Sequence, residues 1–241
     1  LAPIHTLTDG SLTALRLASV VMGALIVVST FGVARVMFPD RPQVALGAAG
    51  FAAFLPQHVA ILASVNNDAL GWALAALILW ASVAHVKGAR RVRVWMLGAL
   101  VGIGLITKAT VYLMAGIAFL AVVLRWWLDY KPSARRDWGM LARRLVVYLV
   151  PALTLGAQWW LRNFAVYGFP DFLGLAAHDA VVVGQLRTET LIAELGGNAY
   201  LSEALSVTWS SFIARFGWMA LPMVGVAVDW IYPAFGLLFI V

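Results

Sequence analysis

Cysteine is absent from this chain of 241 residues, and charged residues make up only 12% of it. Without cysteine there is no disulfide framework, no thiolate metal site and no cysteine nucleophile. With few charges and 63% hydrophobic residues, a soluble domain of this length could not bury its apolar surface. A Walker motif, a glycine-rich dinucleotide loop, a serine nucleophile elbow and a His-Glu zinc motif are also missing, so the sequence gives those enzyme classes no support.

What the chain has instead is a series of long apolar runs. A bilayer-spanning helix needs about 20 apolar residues, and seven runs are candidates: residues 14–37, 43–63, 69–86, 94–107, 109–127, 145–166 and 217–241. They do not alternate apolar and polar residues, as the strands of a membrane barrel do. We therefore predict an all-α polytopic membrane protein with about seven transmembrane helices, of which the fourth and fifth are short.

Positive charge falls on alternate connections between these runs. The connections after the first, third and fifth runs hold 12 of the 17 basic residues: Arg35, Arg41, Lys87, Arg90, Arg91, Arg93, Arg125, Lys131, Arg135, Arg136, Arg143 and Arg144. Because basic loops stay in the cytoplasm, we predict that the N-terminal end lies outside, in a bacterial cytoplasmic (inner) membrane. The net charge of +6 then reflects orientation, and we expect no nucleic-acid partner.

Residues 168–216 are predicted to form an extracytoplasmic loop that contains interfacial helices. The stretch 186–195 is helix-like, and 199–216 is amphipathic, with Leu201, Leu205, Phe212 and Phe216 spaced to share one helix face. Gly196-Gly197-Asn198 should separate the two helices. We treat residues 1–241 as a single transmembrane domain and, because both ends look cut, expect a fragment of a longer chain.

Polar clusters end three of the apolar runs on the predicted outer face. They are Asn66-Asn67-Asp68 before the third run, Thr107-Lys108 between the fourth and fifth, and Arg162-Asn163 at the end of the sixth. A lysine that faces lipid is costly, so Lys108 should face protein, water or a ligand, unless it extends to the lipid head groups. Arginine binds phosphate with paired hydrogen bonds, so Arg162 and Lys108 could hold a lipid phosphate; the alternative for Arg162 is an interface anchor.

Asp68 is the acid closest to the outer ends of the second and third runs. As a functional group it would position a polar substrate, a divalent metal or a catalytic partner. The alternative is helix capping, because Asn and Asp are favoured N-cap residues and the third run begins here. No two histidines have the spacing of metal ligands, so we assign no metal site and leave a divalent cation open.

Four stretches, in order, resemble segments of GT-C type membrane glycosyltransferases. The group is that of the dolichyl-phosphate-mannose protein mannosyltransferases and aminoarabinose transferases, with their bacterial relatives. The stretches are RLASVVMGALIVVSTFGVARVMFPDRP, FLPQHVAILASVNNDAL, GIGLITKATVYL and QWWLRNFAVYGFP. Their order and spacing also fit, so the resemblance extends over nearly the whole chain.

The resemblance implies transfer of a sugar from a polyprenyl-phosphate donor to an acceptor at the outer membrane face. It implies that Asp68 lies in an outer loop where the family has an active-site acid, and that Lys108 and Arg162 approach the donor phosphate. The remaining candidate substrate-binding residues are Asn66, Asn67 and Asn163. The family's principal catalytic acid belongs to an earlier outer loop, and Asp9 cannot be matched to it, so activity itself stays open.

The main alternative is a non-catalytic structural subunit of a larger membrane complex, energy-transducing or photosynthetic. Such a subunit would pack against partner transmembrane subunits through small-residue faces such as Gly47, Ala48, Gly50 and Ala53. A transporter is a weaker alternative, because we find no inverted repeat and the polar groups gather at one face. The expected partners are membrane lipids and the polyprenyl-phosphate sugar.

Overall fold

The structure is a computed structural model that describes residues 2–66, 68–89, 91–130, 137–182, 184, 187–216, 221–222 and 226–238. The helices are α1 (Ala2–Leu7), α2 (Leu12–Met37), α3 (Pro42–Phe54), α4 (Pro56–Ala63), α5 (Asp68–Val86), α6 (Val94–Thr107), α7 (Tyr112–Leu128), α8 (Trp138–Tyr167), α9 (Leu175–Val181), α10 (Thr188–Leu195), α11 (Gly197–Ala214) and α12 (Val226–Leu238). Two short antiparallel strands, β1 (Arg215–Phe216) and β2 (Leu221–Pro222), pair Arg215 with Pro222. The predicted all-α polytopic class is confirmed.

Among the residues that the structure describes, four helical segments are long and apolar enough to cross a membrane: α2, α5, Ala109–Leu128 and α8. The pair α3 and α4 makes a fifth if it is counted as one span, bent by 54° at the break before Pro56. A break at this proline is expected, because proline lacks the backbone N–H and clashes with the preceding turn. The chain is therefore an integral membrane protein. The predicted number of about seven transmembrane helices stays a prediction.

The chain divides into two compact units, which we describe one at a time. The first comprises Leu1–Ala53 and Ile61–Ala177, and the second comprises Phe54–Ala60 and His178–Val241. In the first unit α5 packs against α2, α6 and α7, and α6 packs against α8. The buried core of this unit is formed by Ile78, Leu97, Val101, Leu105, Val111, Ala118, Val122, Tyr148 and Ala152. That residues 1–241 form a single transmembrane domain stays a prediction.

Two glycines let α6 and α8 approach closely. A Cβ atom on Gly102 would lie 2.7 Å from Leu155 Cβ and 2.9 Å from the carbonyl oxygen of Pro151. A Cβ atom on Gly98 would lie 2.7 Å from Pro151 Cγ. Small residues four apart are the usual means by which membrane helices bring their backbones together. The helix α8 continues through Pro151.

Two boundaries in the second half of the chain differ from the sequence prediction. The sixth helix begins at Trp138 and not near residue 145, because Asp137 caps it: its Oδ1 accepts a hydrogen bond of 3.0 Å from the backbone N–H of Met140. The seventh helix begins at Val226 and not near residue 217, because the strand pair interrupts the apolar run. The helix α9 was not predicted.

The second unit contains the two helices predicted within the loop. They meet at Gly196, as expected, but Gly197 and Asn198 belong to α11 and do not form part of the break. The hydroxyl of Tyr232 donates to the carbonyl oxygen of Ala214 at 2.6 Å and ties α12 to the end of α11. The placement of these helices flat on the outer interface stays a prediction.

Candidate functional site

The chain reverses direction at Lys108, between two helices of the first unit. The helix α6 ends at Thr107, Lys108 is extended with φ −160°, and a 3₁₀ turn over Ala109–Val111 leads into α7. The backbone N–H of Lys108 still donates to the carbonyl oxygen of Gly104 at 3.2 Å, and the Lys108 carbonyl accepts from the N–H of Val111 at 3.0 Å. The backbone groups at this reversal are therefore satisfied locally, which leaves the lysine side chain to interact elsewhere.

Asn66 organises the start of α5. Its Oδ1 accepts hydrogen bonds from the backbone N–H groups of Asp68 at 2.9 Å and Ala69 at 3.2 Å. Its Nδ2 donates to Ser64 Oγ at 2.7 Å and to the carbonyl oxygen of Ile61 at 3.0 Å. Asn66 thus supplies the cap for the first helical N–H groups, and the Asp68 carboxylate is not needed for that purpose.

Asp68 and Lys108 form an ion pair in which the lysine ammonium donates to Asp68 Oδ1. About three quarters of each side chain is covered, with 27% of Asp68 and 25% of Lys108 exposed. The lysine stem runs along α5, because a Cβ on Gly71 would lie 3.6 Å from both Lys108 Cβ and Cδ. Two residues separated by 40 positions in the sequence therefore form one charged, solvent-accessible centre.

Arg162 belongs to a second polar cluster near the end of α8. Its guanidinium carbon lies 4.9 Å from the ring centroid of Trp159 and 5.9 Å from that of Tyr167. Its Nη1 donates to Asn163 Oδ1 at 3.1 Å. Cation–π contacts and this hydrogen bond hold the exposed arginine head in place.

Asn163 is fully buried beside it and has a structural role of its own. Its Nδ2 donates to the carbonyl oxygen of Phe172 at 2.8 Å. The amide therefore anchors the turn that follows α8 while its oxygen holds Arg162. A buried amide with both ends bonded fixes geometry more readily than it reaches a ligand.

The two clusters are connected through aromatic side chains. The indole N–H of Trp160 donates to the hydroxyl of Tyr112 at 2.7 Å, and its ring meets Phe172 edge-on at a centroid distance of 6.4 Å. Within the described residues, no hydrogen bond or ion pair joins Arg162 to Asp68 or Lys108. The structure thus brings Asn66, Asp68 and Lys108 together, places Arg162 with Asn163, and leaves the predicted Asn67 outside the described residues.

Asp171 holds the turn after α8 in the same region. Its Oδ2 accepts a hydrogen bond of 2.9 Å from the backbone N–H of Ala177, near the start of α9. This bond, with weaker ones from neighbouring backbone N–H groups, lowers the pKa of the Asp171 carboxyl below its usual value. The carboxylate form is therefore favoured in the folded chain.

The described residues contain no group of three or more His, Asp or Glu side chains able to hold a metal ion. Asp68 could contribute one oxygen ligand to a cation that arrives with a phosphate substrate. The Tyr112–Trp160 hydrogen bond was not foreseen, because partners 48 positions apart carry no signal in one sequence.

Residues 1–134, more than half of the chain, match the family described as dolichyl-phosphate-mannose-protein mannosyltransferase. The chain belongs to this family. The mannosyltransferase family consists of membrane glycosyltransferases of the GT-C type, so the resemblance seen in the sequence is confirmed. The match includes Asp68 and Lys108 and ends before Arg162.

Membership in the mannosyltransferase family supports glycosyltransferase activity at a membrane, with membrane lipids and a lipid-linked sugar as partners. It gives no support to the alternative of a structural subunit. Neither the curated proteins nor the solved structures compared with the chain include a significant match.

Proposed function

We propose that this chain transfers a sugar from a polyprenyl-phosphate donor to an acceptor at the outer face of a bacterial cytoplasmic membrane. The observation that carries the proposal is the Asp68–Lys108 ion pair, which lies inside the family match and remains partly accessible. Paired opposite charges at the end of membrane helices suit a reaction in which a phosphate departs and a hydroxyl loses a proton.

Lys108 is the proposed donor-binding group. During transfer, the bond between the sugar's anomeric carbon and the phosphate oxygen breaks, and the electron pair stays on the phosphate. A cation held at the leaving oxygen stabilises that charge as it develops. The ion pair with Asp68 holds the Lys108 ammonium beside the start of α5 until the phosphate binds.

Asp68 is the proposed catalytic carboxylate. The acceptor hydroxyl oxygen forms the new bond to the anomeric carbon, and its proton passes to the carboxylate. Its Oδ1 meets Lys108, and its second oxygen accepts no hydrogen bond from the residues that the structure describes. A second role fits the same geometry: Asp68 could act by positioning Lys108 and leave proton removal to another group.

The remaining predicted residues take supporting roles in this proposal. Asn66 fixes the backbone that presents Asp68, and Asn163 fixes the orientation of Arg162. Arg162, exposed between two aromatic rings, would meet the donor phosphate or a neighbouring lipid phosphate. Asn67 is retained as a candidate substrate-binding residue on its sequence position alone.

The proposed orientation places the Asp68–Lys108 end outside. It is supported by the distribution of charge: α5 ends at Val86 next to Lys87, and α7 carries Arg125 in its last turn. Basic residues stay on the cytoplasmic side, so the opposite ends of both helices face out.

The test is a transfer assay on the purified full-length protein in liposomes. A polyprenyl-phosphate mannose donor is the first choice, followed by other polyprenyl-phosphate sugars, each with Mg²⁺ and with a chelator. The measured quantity is protein-dependent release of polyprenyl phosphate, together with sugar transferred to an added acceptor. Lys108→Met should lower kcat/KM for the donor by about tenfold or more, because one charge-assisted contact to the departing phosphate is lost.

Matched variants separate the two roles of Asp68. Asp68→Asn should lower kcat with little change in KM if the carboxylate removes the proton, whereas a positioning role changes both together. Lys87→Met, an exposed lysine at the other end of α5, serves as the control and should keep full activity. Donor release that is unchanged in Lys108→Met and Asp68→Asn would refute the proposed site.

A further inference from the structure

A polar cavity lies in the first unit, at the end opposite the Asp68–Lys108 ion pair. It has a volume of about 470 Å³ and lies between the end of α5, the start of α6, the end of α7 and the first turns of α8. Its charged lining consists of Arg93, Arg125, Arg144 and Asp129, and His85 lies beside them. Three arginines against one carboxylate leave this part of the lining with net positive charge.

The two inner arginines are already oriented by the fold. Asp129 forms ion pairs with both: its Oδ1 lies 2.6 Å from Arg125 Nη2, and its Oδ2 lies 2.7 Å from Arg144 Nη2. Arg125 Nη1 also donates to the carbonyl oxygen of Val86 at 3.1 Å. Preorganised guanidinium groups lose little conformational entropy when they bind an anion.

Gly88 makes room for this arrangement. It has a positive φ of 81°, and a Cβ atom there would lie 2.8 Å from Arg125 Nη1. A side chain at this position would be strained by the backbone and would also push the arginine away. The turn after α5 is thus built to accept the guanidinium.

Two buried polar atoms in the lining are left without a hydrogen-bond partner among the described residues. They are Arg144 Nη1 and His85 Nε2. His85 Nδ1 lies 3.4 Å from the carbonyl oxygen of Val92, so the ring is already fixed at its other nitrogen. A buried guanidinium N–H without an acceptor is costly, and an anion in the cavity would supply one.

We propose that this cavity binds a phosphate group, carried either by the head of an anionic phospholipid or by free phosphate. Arg144 donates through Nη1 and Arg93 adds charge at the exposed rim. Basic pockets between membrane helices suit anionic head groups, and the lining side chains of Trp95, Val94 and Val147 provide apolar surface for the acyl chains of a lipid. This site is independent of the sugar-transfer proposal.

Binding is measured on the purified full-length protein in detergent by native mass spectrometry and by titration. The probes are short-chain phosphatidylglycerol, short-chain phosphatidylcholine and inorganic phosphate. Arg144→Gln should weaken phosphatidylglycerol binding about tenfold or more, because one charge-assisted hydrogen bond is lost. Arg143→Gln removes the same charge from the neighbouring exposed position and should bind as the unchanged protein does.

The arms of the experiment also identify the source of the phosphate. If phosphatidylglycerol binds tightly and inorganic phosphate does not, the cavity is a lipid site. If inorganic phosphate binds as tightly as phosphatidylglycerol, and Arg144→Gln abolishes that binding, the cavity is a site for free phosphate. If Arg144→Gln does not fold, Arg93→Gln is used, and it should weaken binding severalfold. The proposal is overturned if Arg144→Gln and Arg93→Gln bind phosphatidylglycerol and inorganic phosphate as tightly as the unchanged protein does, or if Arg143→Gln weakens binding as much as the cavity variants do.

Discussion

The Asp68–Lys108 ion pair can be tested by a double-mutant cycle on stability. The perturbations are Asp68→Asn, Lys108→Met and the two together. Exposed ion pairs contribute roughly 0.2–1 kcal/mol, whereas removing one member of a buried pair costs about 3–5 kcal/mol because the remaining charge is left unpaired. With about a quarter of each side chain exposed, each single substitution should cost about 1–3 kcal/mol.

The double variant carries the decisive information. Since neither charge then remains unpaired, its cost should be smaller than the sum of the single costs by about 1 kcal/mol or more. The assay is reversible unfolding in mixed detergent micelles, followed by loss of helical signal, with Lys87→Met, an exposed lysine at the opposite end of α5, as the control for removing a lysine. Single effects that add to within about 0.5 kcal/mol would show that the two side chains are not coupled and would refute the reasoning.

Substitutions at three further positions test the start of α5 and the turn after α8. Asn66→Ala should lower the unfolding free energy by about 1 kcal/mol, because the cap of α5 is lost, and Asn66→Asp should retain most of it. Asn163→Ala should cost about 1–3 kcal/mol, because the fully buried Asn163 side chain loses its hydrogen bond to the carbonyl oxygen of Phe172, and it should raise proteolysis of the turn after α8. Because the folded pKa of Asp171 is lowered, the stabilisation from its bond to Ala177 is fully present above the unfolded pKa of about 4 and is lost as pH falls through the lower folded pKa. Asp171→Ala should therefore raise hydrogen exchange of residues 174–177 at pH 7 but add nothing in strong acid. Equal exchange in the two proteins at pH 7 would count against this role.

Much of the first unit follows directly from runs of apolar residues. The predicted segments 69–86 and 94–107 agree with α5 and α6, and the reversal at Lys108 was expected from a charge placed midway in an apolar stretch. The start of α8 was missed because residues 138–144 mix two arginines with apolar side chains, and a search for apolar runs begins too late. The capping carboxylate of Asp137 is the local signal that locates it.

The candidate site was only partly accessible to the same reasoning. A polar cluster at Asp68 and a lysine at position 108 were both singled out, but their ion pair depends on α5 packing beside the α6–α7 reversal. The Arg125–Asp129 contact has helical i, i+4 spacing and could have been expected. The contact of Asp129 with Arg144 depends on tertiary packing, and no local sequence pattern predicts it.

The length of α6 has a consequence for the bilayer itself. Its 14 residues rise about 21 Å, which is shorter than the roughly 30 Å thickness of the hydrocarbon layer. If α6 lies in the membrane as the sequence predicts, the lipids beside its charged end must thin or water must enter above it. Membrane thickness thereby becomes a variable that acts on this protein: in a bilayer of longer acyl chains, the Asp68–Lys108 end would sink further from the lipid head groups.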